Sequence, residues 1–557
     1  MMMLRLVQAI GLLLATVLAH ALYRMYRVRM MFRSLPKEYG IELLPGHSLL
    51  WGHLATLGEI MKEYPSDIAG QFAPYALLRA FPHLASVGAV YIDLWPVTYP
   101  MLAVFDPTMM AQFCQDPSRP KHPLVKDEFR PFSRNRDLVT TEGQAWRTWR
   151  AAFNPGFSAQ NIMALIPALL EESLVFKAHL DHVATTGETF RLEDQLMKAT
   201  CDIIGRAVLG IRLHIQTKPS ALYHALKSSI ALLVGDNSPR NINRILNPAR
   251  RLLIWNYNRI MRRELMPLLE AQLREYDESE AQKGGPTAPK TVTSLGIRAY
   301  KRERAKLGKS DEAKADRDFL ENTMEQLKIF LFAGHDTTAS ALGFAYYHLH
   351  KHPSCLAKMR QEHDAVFGTD PSLAADRLAA QPTLLNQLPY TTAVLKEVLR
   401  LAPPVGSVRA GGPDFFLTHP ATGTRYPTDG FMLFSCSFAA HRHPAIWTDP
   451  DSFVPERWIP SDDPAQRETD ARLRKNAWRP FELGARACIG QELAMTELRL
   501  ILVLTVRELD VVPAYADDAP TVFGEPAYQA DLPGEVTAHL KGGLPARVVR
   551  RILPVTA

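Results

Sequence analysis

The pattern of apolar and polar positions divides the chain into stretches of different character. An apolar run opens it, LVQAIGLLLATVLAHALY from Leu6 to Tyr23. At a helical rise of about 1.5 Å per residue this run would cover roughly 27 Å, close to the hydrocarbon core of a thin bilayer. Between residues 160 and 270 apolar residues recur at spacings of three and four, as in IMALIPALLEESLVF, which predicts successive amphipathic helices. From Met324 to Leu349 the chain is apolar around a polar island, Gly334-His335-Asp336-Thr337-Thr338. Glycine weakens a helix interior and threonine bonds back to a carbonyl one turn earlier, so the island predicts a local opening or bulge beside a ligand. A solvent-facing bend is the alternative. The last third carries Pro403, Pro404, Pro420, Pro427, Pro444, Pro450, Pro455 and Pro460, which predicts irregular backbone and short strands. The whole pattern predicts a mainly α chain with small β-sheets, in the α+β class.

Two connections are expected. Residues 24–45 are basic and contain Pro36 and Pro45, and read as a linker after an anchor at residues 1–23. Residues 275–317 are charged and broken by Gly284-Gly285-Pro286, and read as a solvated, mobile segment. Arg24, Arg27, Arg29, Arg33 and Lys37 follow the apolar run rather than precede it, which favours a retained anchor over a cleaved signal peptide. That flank puts the N-terminus in the lumen and the body in the cytosol.

Charge changes the picture once. The net charge is +6, and Arg5, Arg24, Arg27, Arg29, Arg33 and Lys37 supply all of it before the first acid, Glu38. The remaining body has no general attraction for nucleic acid, whereas the basic cluster suits an anionic leaflet. The five cysteines lack any CxxC pair, so neither a disulfide framework nor a cysteine zinc site is expected.

Candidate chemistry centres on FELGARACIG, residues 481–490. A thiolate in a tight loop needs close backbone approach and left-handed conformations, which Gly484 and Gly490 permit. Backbone N–H groups aimed at Cys488 would stabilise the thiolate, and Arg486 could neutralise an acid nearby. An inert buried cysteine is the alternative. Glu397 and Arg400 in LKEVLRLAPPV lie three apart on one helical face, a spacing that also suits an ordinary surface pair. Trp146 and Arg150 in WRTWR share a face and could serve a carboxylate or phosphate, or simply lie on the surface. Arg457 stands in a proline-bounded loop, FVPERWIP.

Together these stretches resemble the haem-thiolate cytochromes P450. The family's FxxGxRxCxG loop is matched at Phe481, Gly484, Arg486, Cys488 and Gly490. Its central-helix pattern of small residue, glycine, any residue, acid and threonine is matched at Ala333 to Thr337, and its ExxR at Glu397 and Arg400. The PERF-like box falls at Pro455 to Trp458, with Trp458 for the usual phenylalanine. The resemblance runs from about residue 40 to the C-terminus. It implies the cytochrome P450 fold, a single haem-binding unit over residues 46–557 behind an N-terminal transmembrane helix. Haem b would lie between the helix of Thr337 and the loop of Cys488, with Cys488 as the axial thiolate on the iron. Glu397, Arg400 and Arg457 would form the buried network beneath the haem. Trp146, Arg150, Arg409 and Arg486 would donate to the haem propionates. Thr337 and Asp336 would form the hydrogen-bond and proton relay.

The activity implied is monooxygenation of a lipophilic substrate. With no Rossmann fingerprint and no second cysteine cluster, electrons must come from a separate protein. The resemblance implies an NADPH–cytochrome P450 reductase, with cytochrome b5 as a second candidate donor, at a single-pass endoplasmic reticulum membrane with the catalytic domain in the cytosol. Arg472, Arg474, Lys475 and Arg479 are candidate docking residues, or a solvated basic loop. By the same resemblance the pocket would be lined from residues 117–140, 215–260, 330–335, 405–408 and 522–532. The wording FLFAGHDTT is most similar to fungal microsomal members acting on secondary metabolites, with xenobiotic or fatty-acid oxidation as the alternative. A peroxide isomerase or dehydratase usually lacks the acid and threonine, and a haem carrier needs no relay.

Overall fold

The computed structural model describes residues 2–115, 117–238, 241–281, 290–307, 312–531 and 537–552. Met2–Tyr39 form one helix, long and apolar enough to cross a membrane. Its apolar first half is not buried against the body, and Leu12, Leu13 and Leu14 are exposed. Such a surface is stable only in lipid, so the helix fits a transmembrane anchor.

Residues 24–39 are helix rather than linker. Arg29, Phe32 and Leu35 fall on one face, as helical spacing requires, and are buried against the body. The Arg29 guanidinium pairs with Asp93 and donates to the carbonyls of Trp95 at 2.9 Å and Leu50 at 3.2 Å. Arg29 is therefore withdrawn from the cluster expected to face lipid headgroups. The chain then turns at Pro45-Gly46.

The body is built around the helix Glu312–Lys351, which packs most extensively on Leu192–Leu209. The polar island does not open it: the helix is continuous through Gly334–Thr338. A Cβ at Gly334 would sit 2.8 Å from Ile204 Cγ1, so this glycine admits the neighbouring helix at close range rather than making a bulge. Thr337 Oγ1 donates to the Ala333 carbonyl at 2.9 Å within an unbroken ladder.

The segment 275–317 also differs from expectation. Helix Arg250–Ala281 reaches into it and helix Val292–Leu307 occupies much of the rest. Val292 and Ile297 are buried, and Val292 packs on the backbone of Gly156, where a Cβ would fall 2.7 Å from Val292 Cα. The high charge of the stretch hides these two anchor positions in the sequence. Gly284-Gly285-Pro286 lie outside the described residues.

The proline-rich last third holds short strands, as expected. Four strands form a mixed sheet in the order Ala89–Ile92, Met101–Val104, Met432–Ser435, Ser407–Ala410. Met101–Val104 and Met432–Ser435 run parallel and the other two pairings are antiparallel, with Arg409 opposite Leu433. This register places Arg409 beside the loops that follow.

Candidate active site

Four of the five cysteines are buried and Cys488 is the exposed one. The residue is open to solvent, yet the protein packed around it still desolvates its thiol. The loop closes through the Cys488 N–H on the Phe481 carbonyl at 2.8 Å and the Ala487 N–H on the Gly484 carbonyl at 3.0 Å. Gly484 has φ +83°, and a Cβ there would fall 2.7 Å from Gln115 Cα, so the expected need for glycine holds twice over. Gly490 departs from expectation. Its φ is −87°, it begins the helix Gln491–Thr505, and a Cβ would meet the Cys488 sulfur at an ordinary 3.8 Å. Its contribution is its N–H: burial pushes the Cys488 thiol up, and the Gly490 amide and the Arg150 charge pull it back.

Beneath the loop, Glu397 is the centre of a buried network. Arg400 donates to both of its oxygens, at 2.9 and 2.8 Å, and Arg457 Nε donates at 3.0 Å. The Val454 N–H adds 3.0 Å and the Trp458 indole N–H 2.9 Å. A phenylalanine at 458 could not make the last bond, so Trp458 is more than an aromatic exchange. Burial alone would raise the Glu397 carboxyl, but Arg400 and Arg457 hold it below the ordinary range. Arg400 also binds the carbonyls of His441, Pro450 and Ser452 at 2.6–2.9 Å. His441 then joins the network to the cysteine loop: its Nε2 accepts the Arg479 N–H at 2.9 Å and its Nδ1 donates to the Arg400 carbonyl at 3.0 Å. His441 carries no motif in the sequence and was not expected.

A cationic corner lies beside this loop. The Arg486 guanidinium lies 4.0 Å from the Trp146 ring centroid and pairs with Glu142. Arg409 is 1% exposed and donates to Ser407 Oγ at 3.0 Å. Arg409 Nε and Nη2 and Arg486 Nη1 are buried with no hydrogen-bond partner. Buried charged donors of this kind are costly unless an anion meets them. Burial and the charges of Arg409 and Arg150 lower Arg486 to about 10, against the opposing pull of Glu142. The unpartnered donors of Arg409 and Arg486 suit carboxylates such as those of a haem, whereas Trp146 is placed here by its ring against Arg486. Arg150 stands apart, donating to the Ala487 carbonyl at 2.9 Å and so bracing the cysteine loop itself. Lys121 was missed. It pairs across a single bridge with Arg409, its Nζ lies 3.5 Å from Ser407 Oγ, and burial with the Arg409 charge lowers it to about 7. A lone lysine outside any motif gave no signal in the sequence.

On the central helix, Ala333 is exposed and Thr337 partly exposed, one turn apart on one face. Asp336 points elsewhere. Its carboxylate accepts from Thr537 Oγ1 and faces His539 Nε2 at 3.2 Å, while His539 Nδ1 lies 2.8 Å from Glu193.

Two surface expectations change. Arg479 is buried and paired with Glu482, and Arg474 is spent on the Arg457 carbonyl and Asp470, so neither offers a free docking charge. Lys475 remains exposed, and the Arg472 side chain lies outside the description. A cavity of about 1680 Å³ opens between the N-terminal helix and the body, lined by residues such as Arg27, Arg130 and Trp255. It draws on the 117–140 and 215–260 regions but on none of residues 330–335, 405–408 or 522–531, and it does not include Cys488. Position 532 lies outside the described residues.

The sequence matches the Cytochrome P450 family over residues 85–535. It is 36% identical over 551 residues to "Cytochrome P450 monooxygenase polC" of Polytolypa hystricis, covering 97% of this chain and 95% of that one. It is 30% identical to "Cytochrome P450 monooxygenase acrF" of Aspergillus aculeatus, covering 88% of this chain and 99% of that one. Among solved structures, the crystal structure of the cytochrome P450DA heme domain superposes with a TM-score of 0.66 at 20% identity, covering 92% of this chain and 97% of that chain. An exposed thiol over a carboxylate-centred clamp, carboxylate-seeking arginines beside it and these full-length matches lead to one conclusion: the chain belongs to the cytochrome P450 monooxygenase family.

Proposed function

We propose that the protein is a membrane-anchored haem-thiolate monooxygenase that inserts one oxygen atom of O2 into a lipophilic organic substrate of secondary metabolism. The observation that carries this reading is the exposed Cys488 in the loop of Arg486, where Arg486 Nη1, like Nε and Nη2 of the neighbouring Arg409, is buried without a partner. Trp146, Arg409, Arg486 and Lys121 would hold the haem carboxylates and Cys488 would bind its iron. When bound, haem supplies the dioxygen and electron chemistry that side chains lack.

The protein's own residues set the conditions. The raised Cys488 thiol must lose its proton to become a ligand, and the Gly490 amide and Arg150 favour that loss. The Glu397 network fixes the loop so that the sulfur keeps one position. Thr337 exposes its hydroxyl on the face of Ala333, where rotation about χ1 would exchange its bond to the Ala333 carbonyl for one to water. Asp336 is the adjacent carboxylate from which protons would pass.

Electrons would come from an NADPH–cytochrome P450 reductase at the endoplasmic reticulum, with the body in the cytosol and residues 1–23 as the anchor. Cytochrome b5 is a second candidate donor. Lys475 is the exposed charge that would meet an acidic partner. The names of the two relatives above support the monooxygenase class.

The test is the difference spectrum of the reduced, carbon monoxide-bound protein. A strongly red-shifted Soret band is expected, and its absence from folded, haem-loaded protein would overturn the reading. Thr337→Ala should keep that band while product, or water, formed per NADPH falls by roughly tenfold, with hydrogen peroxide rising in balance. An unchanged peroxide yield would remove Thr337 from the relay.

A further inference from the structure

The buried ionic triad beside the relay has no place in the account so far. Glu193, at the start of the helix Leu192–Leu209, His539, on the strand His539–Leu540, and Asp336, on the central helix, come from three separate elements. All three side chains are within 4% of full burial. His539 lies 2.8 Å from Glu193 through Nδ1 and 3.2 Å from Asp336 through Nε2. Thr537 Oγ1 donates to Asp336 and lies 2.8 Å from His539 Nε2. Only an imidazolium donates from both ring nitrogens, so a charged His539 meets one oxygen of each carboxylate at once, while Glu193 Oε2 remains buried without a hydrogen-bond partner.

The wider surroundings agree. Burial opposes charge on His539, but Asp336 and Glu193 outweigh it and raise the imidazole well above its ordinary value. Burial likewise opposes charge on Asp336, yet His539, His335 and Thr537 hold it low. Among the described residues, His335, lowered by its own burial, acts on Asp336, with Lys227 acting in turn on His335, and Tyr515 acts with Glu193.

As a source of stability the arrangement is poor, because desolvating three charges offsets most of their attraction. As a clamp it is well made. One cation shared by two carboxylates leaves an anion in excess, so Asp336 can release His539 while Glu193 still holds the imidazolium. The neighbour of Asp336 in the chain is Thr337, whose hydroxyl faces the open side of the helix.

We propose that His539 is a positioning residue for proton delivery: it clamps Asp336 toward the C-terminal strand, with Glu193 retaining the imidazolium whenever Asp336 turns toward Thr337. This rests on the monooxygenase reading. The overall balance is R–H + O2 + 2e⁻ + 2H⁺ giving R–OH + H2O, with NADPH supplying the electrons through the reductase. If protons arrive in the wrong place, O2 + 2e⁻ + 2H⁺ leaves as H2O2. The clamp decides between these exits without touching substrate.

The test uses the full-length, haem-loaded protein with NADPH–cytochrome P450 reductase. Histidine ¹⁵N spectra, with the His539 signal identified by its loss in His539→Gln, should read imidazolium through neutral pH in the wild type. In Asp336→Asn its proton affinity should fall at least about tenfold. Without added substrate, His539→Gln should raise the peroxide released per NADPH by about twofold or more at an unchanged carbon monoxide spectrum. The Asp336→Asn/His539→Gln pair should add nothing beyond Asp336→Asn, a result a merely structural role would not give. Should His539→Gln fail to take up haem, Glu193→Gln leaves the His539–Asp336 contact in place and should lower the His539 proton affinity in the same direction. A neutral His539 in the wild type, or an unmoved peroxide yield, overturns the proposal. Loss of the red-shifted band in the wild type would instead strike the monooxygenase reading, while the histidine titration would still report the clamp.

Discussion

Cys488→His is expected to abolish the red-shifted carbon monoxide band and all NADPH-dependent turnover. Imidazole is neutral and cannot push charge onto iron as a thiolate does. The change also places a rigid ring where the loop closes through the 2.8 Å bond from the Cys488 N–H to the Phe481 carbonyl. The loss should exceed the roughly 10–100-fold that removing a supporting residue around a metal costs. The paired measurement is the haem-to-protein ratio with the reduced carbon monoxide spectrum. A mutant that kept both band and turnover would show that another group is the working ligand. The other four cysteines are buried, and burial pushes the Cys114 thiol up to about 12 and those of Cys201 and Cys436 well above their ordinary value, so these three offer no ready thiolate.

Glu397→Ala should be the most damaging change that touches no ligand. It strands Arg400, which is fully buried, and leaves the N–H of Arg457, Val454 and the Trp458 indole without their acceptor. Breaking one side of a buried pair costs about 3–5 kcal/mol, a large part of the ~5–15 kcal/mol that separates folded from unfolded domains. Haem-loaded protein should therefore be nearly absent, as read by the haem-to-protein ratio and the unfolding midpoint in denaturant. Trp458→Phe removes one bond from the same carboxylate and should cost about 1.5–3 kcal/mol. Near-native loading of Glu397→Ala would mean the network does not hold the loop. The folded Glu397 carboxyl lies below its ordinary value, so its contribution is complete above the unfolded pKa and is lost only as the pH falls through the lowered one.

The parts of the site that the sequence exposed are those whose residues lie close together in the chain. Phe481 to Gly490 is ten residues of one loop, Glu397 and Arg400 are one helical turn apart, and Trp146 and Arg150 are another. Lys121, His441, Glu193 and His539 stayed hidden because each is a single residue brought in from elsewhere: His441 meets Arg400 41 positions away and His539 meets Glu193 346 positions away. Gly334 and Gly490 were visible as glycines but not for their reasons, since close approach of Ile204 and a helix start are properties of neighbours rather than of the glycine.

Local periodicity and contiguous motifs thus determined the helical class, the apolar N-terminal helix, the proline-broken strands and the cysteine loop, because each depends on spacings of a few residues. Tertiary structure alone decided that residues 24–39 continue the N-terminal apolar helix, that Arg29 pairs with Asp93 and leaves the basic cluster, that Arg474 and Arg479 are spent internally, and that Asp336 belongs to a triad. The physical reason is common to all four: a charge's partner is set by burial and by which distant element packs against it. Desolvation makes an unpaired charge too costly to leave, wherever in the chain its counter-ion lies.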